Sequence, residues 1–565
     1  MLDSQKLAFV LVLIGIGIVI LAWVVQHLYP KPYPGIPYNK ASANRISGDI
    51  PDIAAAVKKA NQLSEGLLDV STRKLGSPIA QVLFTGFQKP FIVLDDAREV
   101  EDICVRRNAE FDIAPMVKDI GGAVFPNSSI TMDKSPELRA FKRRWGGAVG
   151  SEFVRQVMAA HAYRGILDLV DLWRLRVSAN NGEPFEVTQD LENCFLEVIW
   201  KSALAQESGV MAWEMAKLQQ KTNPANPPRG VLIRQEVKYR TELIRRNSLK
   251  PSPAWAQRLA THTPRFRRSK LIVNQELGPP LEEAIARFQK VKLDQIQAES
   301  LDSDTCMLDL VIRRQMLEAY KSKGELPHLS KSQKLIDEIF SFILGGFDST
   351  STVVAWFALF MQAYPKVQTH LRKKLHEAFP RPKMPSVREI LDTDVPYLSC
   401  VCEETVRFAG AAKGQGRQAT VDTEILGCKI PKGAQIFMNL YIDREPYPVD
   451  ERKRSSSSQV AGARRGESAE KKYDLSVFEP KRWLVRHKTT GQESFNSQAL
   501  PCTAFGGGLR GCPGRKLADM ELRISLVLLI LNFEFLALPE ELGRMSAHER
   551  FFRRPDFPFV KLCAL

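Results

Sequence analysis

Eleven residues near the carboxyl end constrain this chain more tightly than any other segment: Phe505-Gly506-Gly507-Gly508-Leu509-Arg510-Gly511-Cys512-Pro513-Gly514-Arg515. The run KLADMELRISLVLLILNFEF that follows has the apolar period of a helix. Cys512 therefore stands in a glycine-rich loop that opens a helix, where free backbone N–H groups and the helix dipole favour a thiolate. The glycines let the backbone approach a flat ligand closely. Pro513 suits a first helical turn, Arg510 puts a positive charge beside the loop, and Phe505 supplies an apolar lid. An anionic sulfur, donors that tune it and a cation for the ligand's carboxylates are what a thiolate bound to haem iron requires. Zinc needs three or four ligands, and Cys502 is the only other cysteine nearby. Cys400 and Cys402 lack a second pair, and none of the eight histidines forms a His-Glu-x-x-His motif.

At the other end, residues 7–25 read LAFVLVLIGIGIVILAWVV, nineteen residues without a charge. As a helix they span roughly 28 Å, close to the hydrocarbon thickness of a bilayer. No small-residue cleavage pattern follows, which argues against a removable signal. Trp23 and Tyr29 suit the interfacial belt, and Lys31, Lys40 and Arg45 follow the span, so the larger body is expected on the cytosolic side. Residues 1–6 are then a short tail, and residues 26–39, with YPKPYPGIP, a stiff proline-rich hinge.

Over 565 residues, 44% hydrophobic and 25% charged usage is ordinary for a globular body and excludes a disordered or polytopic chain. Nine cysteines are too few for a disulfide scaffold. Residues 82–95 read as a β-hairpin and residues 98–107 as a helix. From about Pro136 to Val395 the period is mostly helical, and strand signals return at residues 418–440, with turns at Gly427 and Gly433. The expectation is one mainly α body with a minor β-sheet part over residues 40–565.

The net charge is +15. Residues 229–270 hold twelve Lys or Arg against Glu236 and Glu242. That segment reads as a solvated surface or as a second contact with anionic membrane lipid. No nucleic-acid recognition module is visible, so nucleic acid is not an expected partner. Residues 451–472 are polar and low in complexity and are expected to be a disordered surface insertion.

A long helix is expected over residues 332–364, stopped by Pro365. Its middle, Gly345-Gly346-Phe347-Asp348-Ser349-Thr350, is a poor helix former for a buried centre. Such a conflict of local preference with context is expected at a functional site.

The cysteine loop is similar to the haem signature Phe-x-x-Gly-x-Arg-x-Cys-x-Gly of the cytochrome P450 family, with Phe505, Gly508, Arg510, Cys512 and Gly514 all matching. Three further segments resemble that family in order. They are the Gly345–Thr350 hexapeptide, Glu404-Thr405-Val406-Arg407, and Phe478-Glu479-Pro480-Lys481-Arg482-Trp483. The resemblance implies the P450 fold, haem b with Cys512 as axial thiolate, and Arg510 on a haem propionate. It also implies a buried structural network of Glu404, Arg407 and Arg482. Gly345 and Gly346 would leave room over the iron, with Asp348 and the hydroxyls of Ser349 and Thr350 relaying protons to bound O2. Ser349 stands where the family usually has Thr. Arg417 falls near a second propionate-binding position. The prolines usual between it and Arg407 are absent, which puts Ala411, Ala412 and Lys413 in the expected substrate pocket. Val149 fills the Arg position of the family's Trp-x-x-x-Arg after Trp145, where Arg143 or Arg144 is the substitute.

The activity so implied is insertion of one oxygen atom of O2 into a hydrophobic small molecule. The chain shows no flavin or dinucleotide motif, so electrons are expected from a separate NADPH-cytochrome reductase on the same membrane. The type implied is eukaryotic and fungal, anchored in the endoplasmic reticulum and serving specialised metabolism. The alternatives are an O2-independent haem-thiolate isomerase or dehydratase, and a membrane haem sensor without turnover.

Overall fold

In the computed structural model of the protein, the described residues are 4–220, 226–248, 250, 252–289, 304–321, 332–380, 382–465, 474–487 and 489–565. The apolar run at the amino end is a single helix, Ser4–Leu28. Its Leu11–Leu28 stretch is long and apolar enough to cross a membrane and is not buried in the protein. The chain divides into two units, each described by itself.

The first unit comprises Met1–Ala114, Gly414–Asn439 and Pro446–Ala463. Its centre is a five-stranded sheet in the order Ile79–Val82, Phe91–Leu94, Gln435–Asn439, Gly414–Ala419, Phe111–Ile113. Phe91–Leu94 pairs antiparallel with Ile79–Val82 and parallel with Gln435–Asn439, so both its edges are used. All four of its residues are buried, as its unbroken apolar sequence requires. The expected hairpin is present with its first arm displaced to Ile79–Val82. Asp49 ends that arm: its carboxylate accepts from the Leu83 N–H at 2.7 Å, and its own N–H donates to the Leu83 carbonyl at 2.8 Å. In the loop beyond, the Gly86 N–H donates to the Leu28 carbonyl at 2.8 Å, fastening the end of the apolar helix. A Cβ at Gly86 would collide with the His27 carbonyl, so this approach demands glycine.

The proline-rich segment is pinned rather than loose. The Gln81 amide donates to the carbonyls of Tyr33 and Ile36, and its side-chain oxygen accepts from the Tyr33 N–H. The expected helix at 98–107 forms as Ala97–Glu101 continued by a wider turn, Asp102–Arg106. Strands Thr423–Ile425 and Cys428–Ile430 turn at Gly427, whose φ is 78°.

Residues 451–465 depart from the disorder expected of the low-complexity insertion. Ser456–Arg465 is a helix. Arg454 before it is buried, donating to both oxygens of Asp96 at 2.8 and 2.9 Å. Ser455 and Ser457 donate to Asp102 at 2.5 and 2.9 Å. Composition suggested solvation, but the buried carboxylates of Asp96 and Asp102, distant in sequence, need these donors. The remainder of that expected insertion, 466–472, lies outside the described residues.

The second unit comprises Pro115–Lys413, Leu440–Glu445 and Arg464–Leu565. Its axis is the helix Gln333–Ala363, capped by the Ser332 hydroxyl on the Leu335 N–H and ended at Tyr364 before Pro365. This central helix packs on Thr188–Leu204 and on Arg515–Asn532, the helix that follows the cysteine loop. Phe340, Phe347, Phe357 and Phe360 are fully buried along it. The helix runs unbroken through Gly345-Gly346, because tertiary packing overrides the weak local preference. Helix Pro396–Ala409 stops at Gly410, whose φ is 53°.

The basic segment forms helices Arg229–Ser248 and Pro253–Thr261 and the start of Pro264–Gln289. It is only partly a solvated face. Arg234 and Arg240 are buried, and Lys238, Arg245 and Arg265 pair with Glu192, Glu242 and Glu236.

Candidate active site

The cysteine loop is closed by its own backbone. The Cys512 N–H donates to the Phe505 carbonyl at 2.8 Å, Gly506 to Thr503 at 2.7 Å, and Gly511 to Gly508 at 3.1 Å. Gly506 and Gly508 have φ of 64° and 59°, a region open to glycine at little cost. A short 3₁₀ turn, Gly508–Arg510, delivers Cys512 just before the helix Arg515–Asn532. The residue is exposed. Burial of the sulfur's surroundings nevertheless pushes its thiol above the ordinary value, outweighing the Gly514 N–H and the cations Lys142 and Arg515.

Lys142 donates to the Leu509 carbonyl, and burial followed by Arg510 lowers its pKa. Arg510 reaches the Ser129 carbonyl at 3.5 Å. Arg515 lies 5.5 Å from the centre of the Phe505 ring.

The central helix is buried nearly all round, with one open stripe. Phe342, Gly345, Gly346, Ser349 and Val353 keep some exposure, and their spacing of three and four residues puts them on one face. Gly345 is exposed, and a Cβ there would meet nothing within 4 Å. A Cβ on Gly346 would meet Ile199 Cγ1 at 2.5 Å, so this second glycine serves the contact with Thr188–Leu204. Ser349 lies on the stripe and donates to the Gly345 carbonyl at 2.7 Å. Thr350 points elsewhere: it is buried and donates to Glu521 of the Arg515–Asn532 helix at 3.1 Å. Asp348 is buried and ion-paired with Arg554, which also bonds Glu192 at 2.8 Å.

Glu404, Arg407 and Arg482 meet in one buried cluster. Arg407 grips Glu404 with two bonds, at 2.8 and 2.6 Å, and Arg482 adds a third at 3.0 Å. The Trp483 indole N–H and the Glu479 backbone N–H complete the carboxylate's shell at 2.8 and 2.9 Å. The remaining guanidinium N–H groups hold the carbonyls of Asp474, Leu475 and Val477, fixing the Phe478–Trp483 segment against Pro396–Ala409.

Lys413 is buried, its ammonium 4.6 Å from the Tyr441 ring centre. Burial, then Arg553, lowers its pKa to about 7. Ala411 accepts from the Arg553 N–H at 2.9 Å, and Ala412 is half-buried beside it. Arg417 belongs to the first unit, in strand Gly414–Ala419, bonded to Gln415 at 2.7 Å. Near Trp145, the indole N–H donates to buried Glu338 at 2.8 Å, and Arg144 stands 3.9 Å from the same carboxyl.

Sequence reasoning missed Glu521, Glu192, Arg554, Glu338 and the bond from Trp483. Glu192 and Glu521 carried a faint signal, being acids on otherwise apolar helix faces; Arg554, near the carboxyl end, carried none. Among the described residues, no group of three or more His, Cys, Asp or Glu could hold a bare metal ion.

The sequence profile of the cytochrome P450 family matches residues 81–444 and 476–561. This chain belongs to the cytochrome P450 family. It is 29% identical to cytochrome P450 monooxygenase TRI13 of Fusarium sporotrichioides over 94% of this chain and 95% of that protein. It is likewise 29% identical to cytochrome P450 monooxygenase GME11363 of Pestalotiopsis microspora, over 95% of each chain. It is 28% identical to cytochrome P450 monooxygenase xilC of Penicillium rubens, over 94% and 92%. The enzyme is thus a P450 monooxygenase of a kind found in fungi.

A P450 carries haem on a cysteine thiolate, and the residues here fit that group. Cys512 is exposed, on a loop closed by the backbone bonds of Gly506, Gly511 and Cys512. The cations Lys142 and Arg510 lie beside it, and the central helix keeps an open, Cβ-free position at Gly345.

Proposed function

We propose that this P450 inserts one oxygen atom of O2 into a hydrophobic small organic molecule, with Cys512 as the axial ligand of haem b. When bound, the haem supplies oxygen activation, which thiolate donation favours. The single observation that carries the reading is Cys512, exposed yet held by a backbone-closed loop at the start of a buried helix.

The chain's own residues divide the remaining work. Arg510 is the proposed partner of a haem propionate. Phe505, Gly508 and Gly514 shape the loop. Glu404, Arg407 and Arg482 lock the Phe478–Trp483 segment in place. Gly345 leaves space on the open stripe, and Ser349 presents a hydroxyl there that can move a proton. Thr350 is given a structural part instead, tying the central helix to Glu521. Ala411, Ala412 and Lys413 are the proposed pocket margin, together with the Gly346 turn.

Electrons come from a separate NADPH-cytochrome reductase. The apolar helix Ser4–Leu28 is the proposed anchor in the endoplasmic reticulum, with the catalytic body cytosolic. The fungal relatives support a place in specialised metabolism. The test is the reduced carbon monoxide difference spectrum of the purified protein beside Cys512→Ala. The thiolate band is expected in the first and lost in the second; an unchanged band in Cys512→Ala overturns the assignment. Incorporation of label from O2 into product separates the monooxygenase from an isomerase or dehydratase.

A further inference from the structure

Arg240, in helix Arg229–Ser248, is 4% exposed, yet among the described residues no carboxylate pairs with it. Its guanidinium stands where three other segments converge. Nε donates to the Ser269 hydroxyl of helix Pro264–Gln289 at 3.0 Å, and Nη1 donates to the Val124 carbonyl at 3.3 Å. The guanidinium carbon lies 5.1 Å from the Phe266 ring centre and 4.6 Å from that of Phe340, on the central helix. Nη2 has no hydrogen-bond partner among the described residues.

The two acids whose charge reaches Arg240 most strongly are committed elsewhere. Glu236 gives both oxygens to Arg265, at 2.8 and 3.0 Å, and Asp337 accepts from Asn127 at 2.6 Å and from Gln333 at 2.9 Å. Burial lowers the pKa of Arg240 to about 10, which still leaves it charged at neutral pH. A buried cation with open donors is costly unless an anion meets it. The two phenylalanine rings offset part of that cost, but a ring face offers no lone pair to an in-plane N–H. The rest of the wall is apolar: Val237 and Ile244, on the same face of the helix, are buried. Phe340 precedes the open position at Gly345 by five residues, about 7.5 Å of helical rise, which is within the length of a small organic molecule.

We propose that Arg240 receives a carboxylate carried by the substrate, so that the substrate is a hydrophobic organic acid. The carboxylate takes the open Nη2 donors, the apolar body lies against Phe266 and Phe340, and the end remote from the acid group reaches the space at Gly345. A planar guanidinium suits this task, since its donors are fixed in the geometry that a carboxylate matches. Arg240 selects and orients the substrate and takes no part in bond making. The inference rests on the monooxygenase reading and narrows it.

Isothermal titration calorimetry of the purified full-length holoenzyme tests this with dodecanoic acid, abietic acid and the methyl ester of each. At least one acid should bind about tenfold or more tightly than its ester, the scale of a charge-assisted hydrogen bond. Arg240→Leu should remove that preference and leave ester affinity unchanged, while Arg240→Lys should keep part of it. Acids that bind no better than their esters, or not at all, overturn the proposal. So does a preference that survives in Arg240→Leu, the result expected of an arginine that only supports the fold. If Arg240→Leu does not fold, the acid-to-ester ratio in Arg240→Lys decides: it should fall severalfold, and an unchanged ratio overturns the proposal. Calorimetry reads this site whatever the haem does. Product without label from O2 defeats the monooxygenase reading and leaves the acid preference standing; equal binding of acid and ester defeats the anion site and leaves that reading intact.

Discussion

The Thr350 hydroxyl donates to the Glu521 carboxyl at 3.1 Å, joining the central helix to the helix that follows the cysteine loop. Glu521 is buried, and its other oxygen has no hydrogen-bond partner among the described residues. Burial pushes this carboxyl up to about 8.

Glu521 therefore costs stability as pH rises. The folded state keeps its proton up to about pH 8, while the unfolded chain releases it near the ordinary value of 4.5. The folded state binds more protons across that window, so stability falls from pH 4.5 to 8. Glu521→Gln should melt higher than wild type at pH 8, by on the order of a few kcal/mol, and nearly equally at pH 4.5. Melting curves across that range check it; a constant difference would refute the protonated carboxyl.

Lys413 has the opposite slope. Its folded pKa of about 7 lies below the ordinary 10.5, so the unfolded chain binds more protons between those values and stability rises with pH there. Lys413→Met should flatten that rise. Denaturant unfolding at pH 7 and pH 10 measures it, and an unaltered slope would show that the ammonium stays charged.

Removing Glu404 leaves two buried guanidinium groups without their carboxylate. Glu404→Ala should lose about 3–5 kcal/mol and abolish haem incorporation, whereas Glu404→Asp should retain a fraction of it. Haem content and the carbon monoxide spectrum report both; normal haem loading in the alanine variant would remove the network from that role.

Ser349 lacks the methyl that restricts a threonine rotamer. Ser349→Ala should divert electrons to peroxide, lowering product per NADPH by about tenfold or more, while Ser349→Thr should match or exceed wild-type coupling. Equal coupling in all three would show that the hydroxyl carries no proton.

Much of this was legible in the sequence because the informative segments are contiguous. The cysteine loop, the Glu404–Arg407 turn of helix and the Gly345–Thr350 stretch each state their chemistry within a dozen residues. What could not be read depends on distant partners. Gly345 and Gly346 look alike in sequence, and only Ile199 distinguishes the open position from the packed one. Ser455 and Ser457 looked solvated because Asp102, which they serve, lies more than 350 residues away. Asp348 looked like a free relay because nothing near it announces Arg554.

The first unit is assembled from three pieces of chain, ending at Ala463. Strand Phe91–Leu94 leaves the ribosome long before its parallel neighbour Gln435–Asn439 exists. At about 5–20 residues per second, the edge waits roughly 15–70 s of synthesis with its hydrogen-bonding groups unmet. During that interval, with Ser4–Leu28 already made, the nascent chain is a candidate for chaperone capture at this edge, and slow codons between residues 114 and 414 would lengthen the exposure.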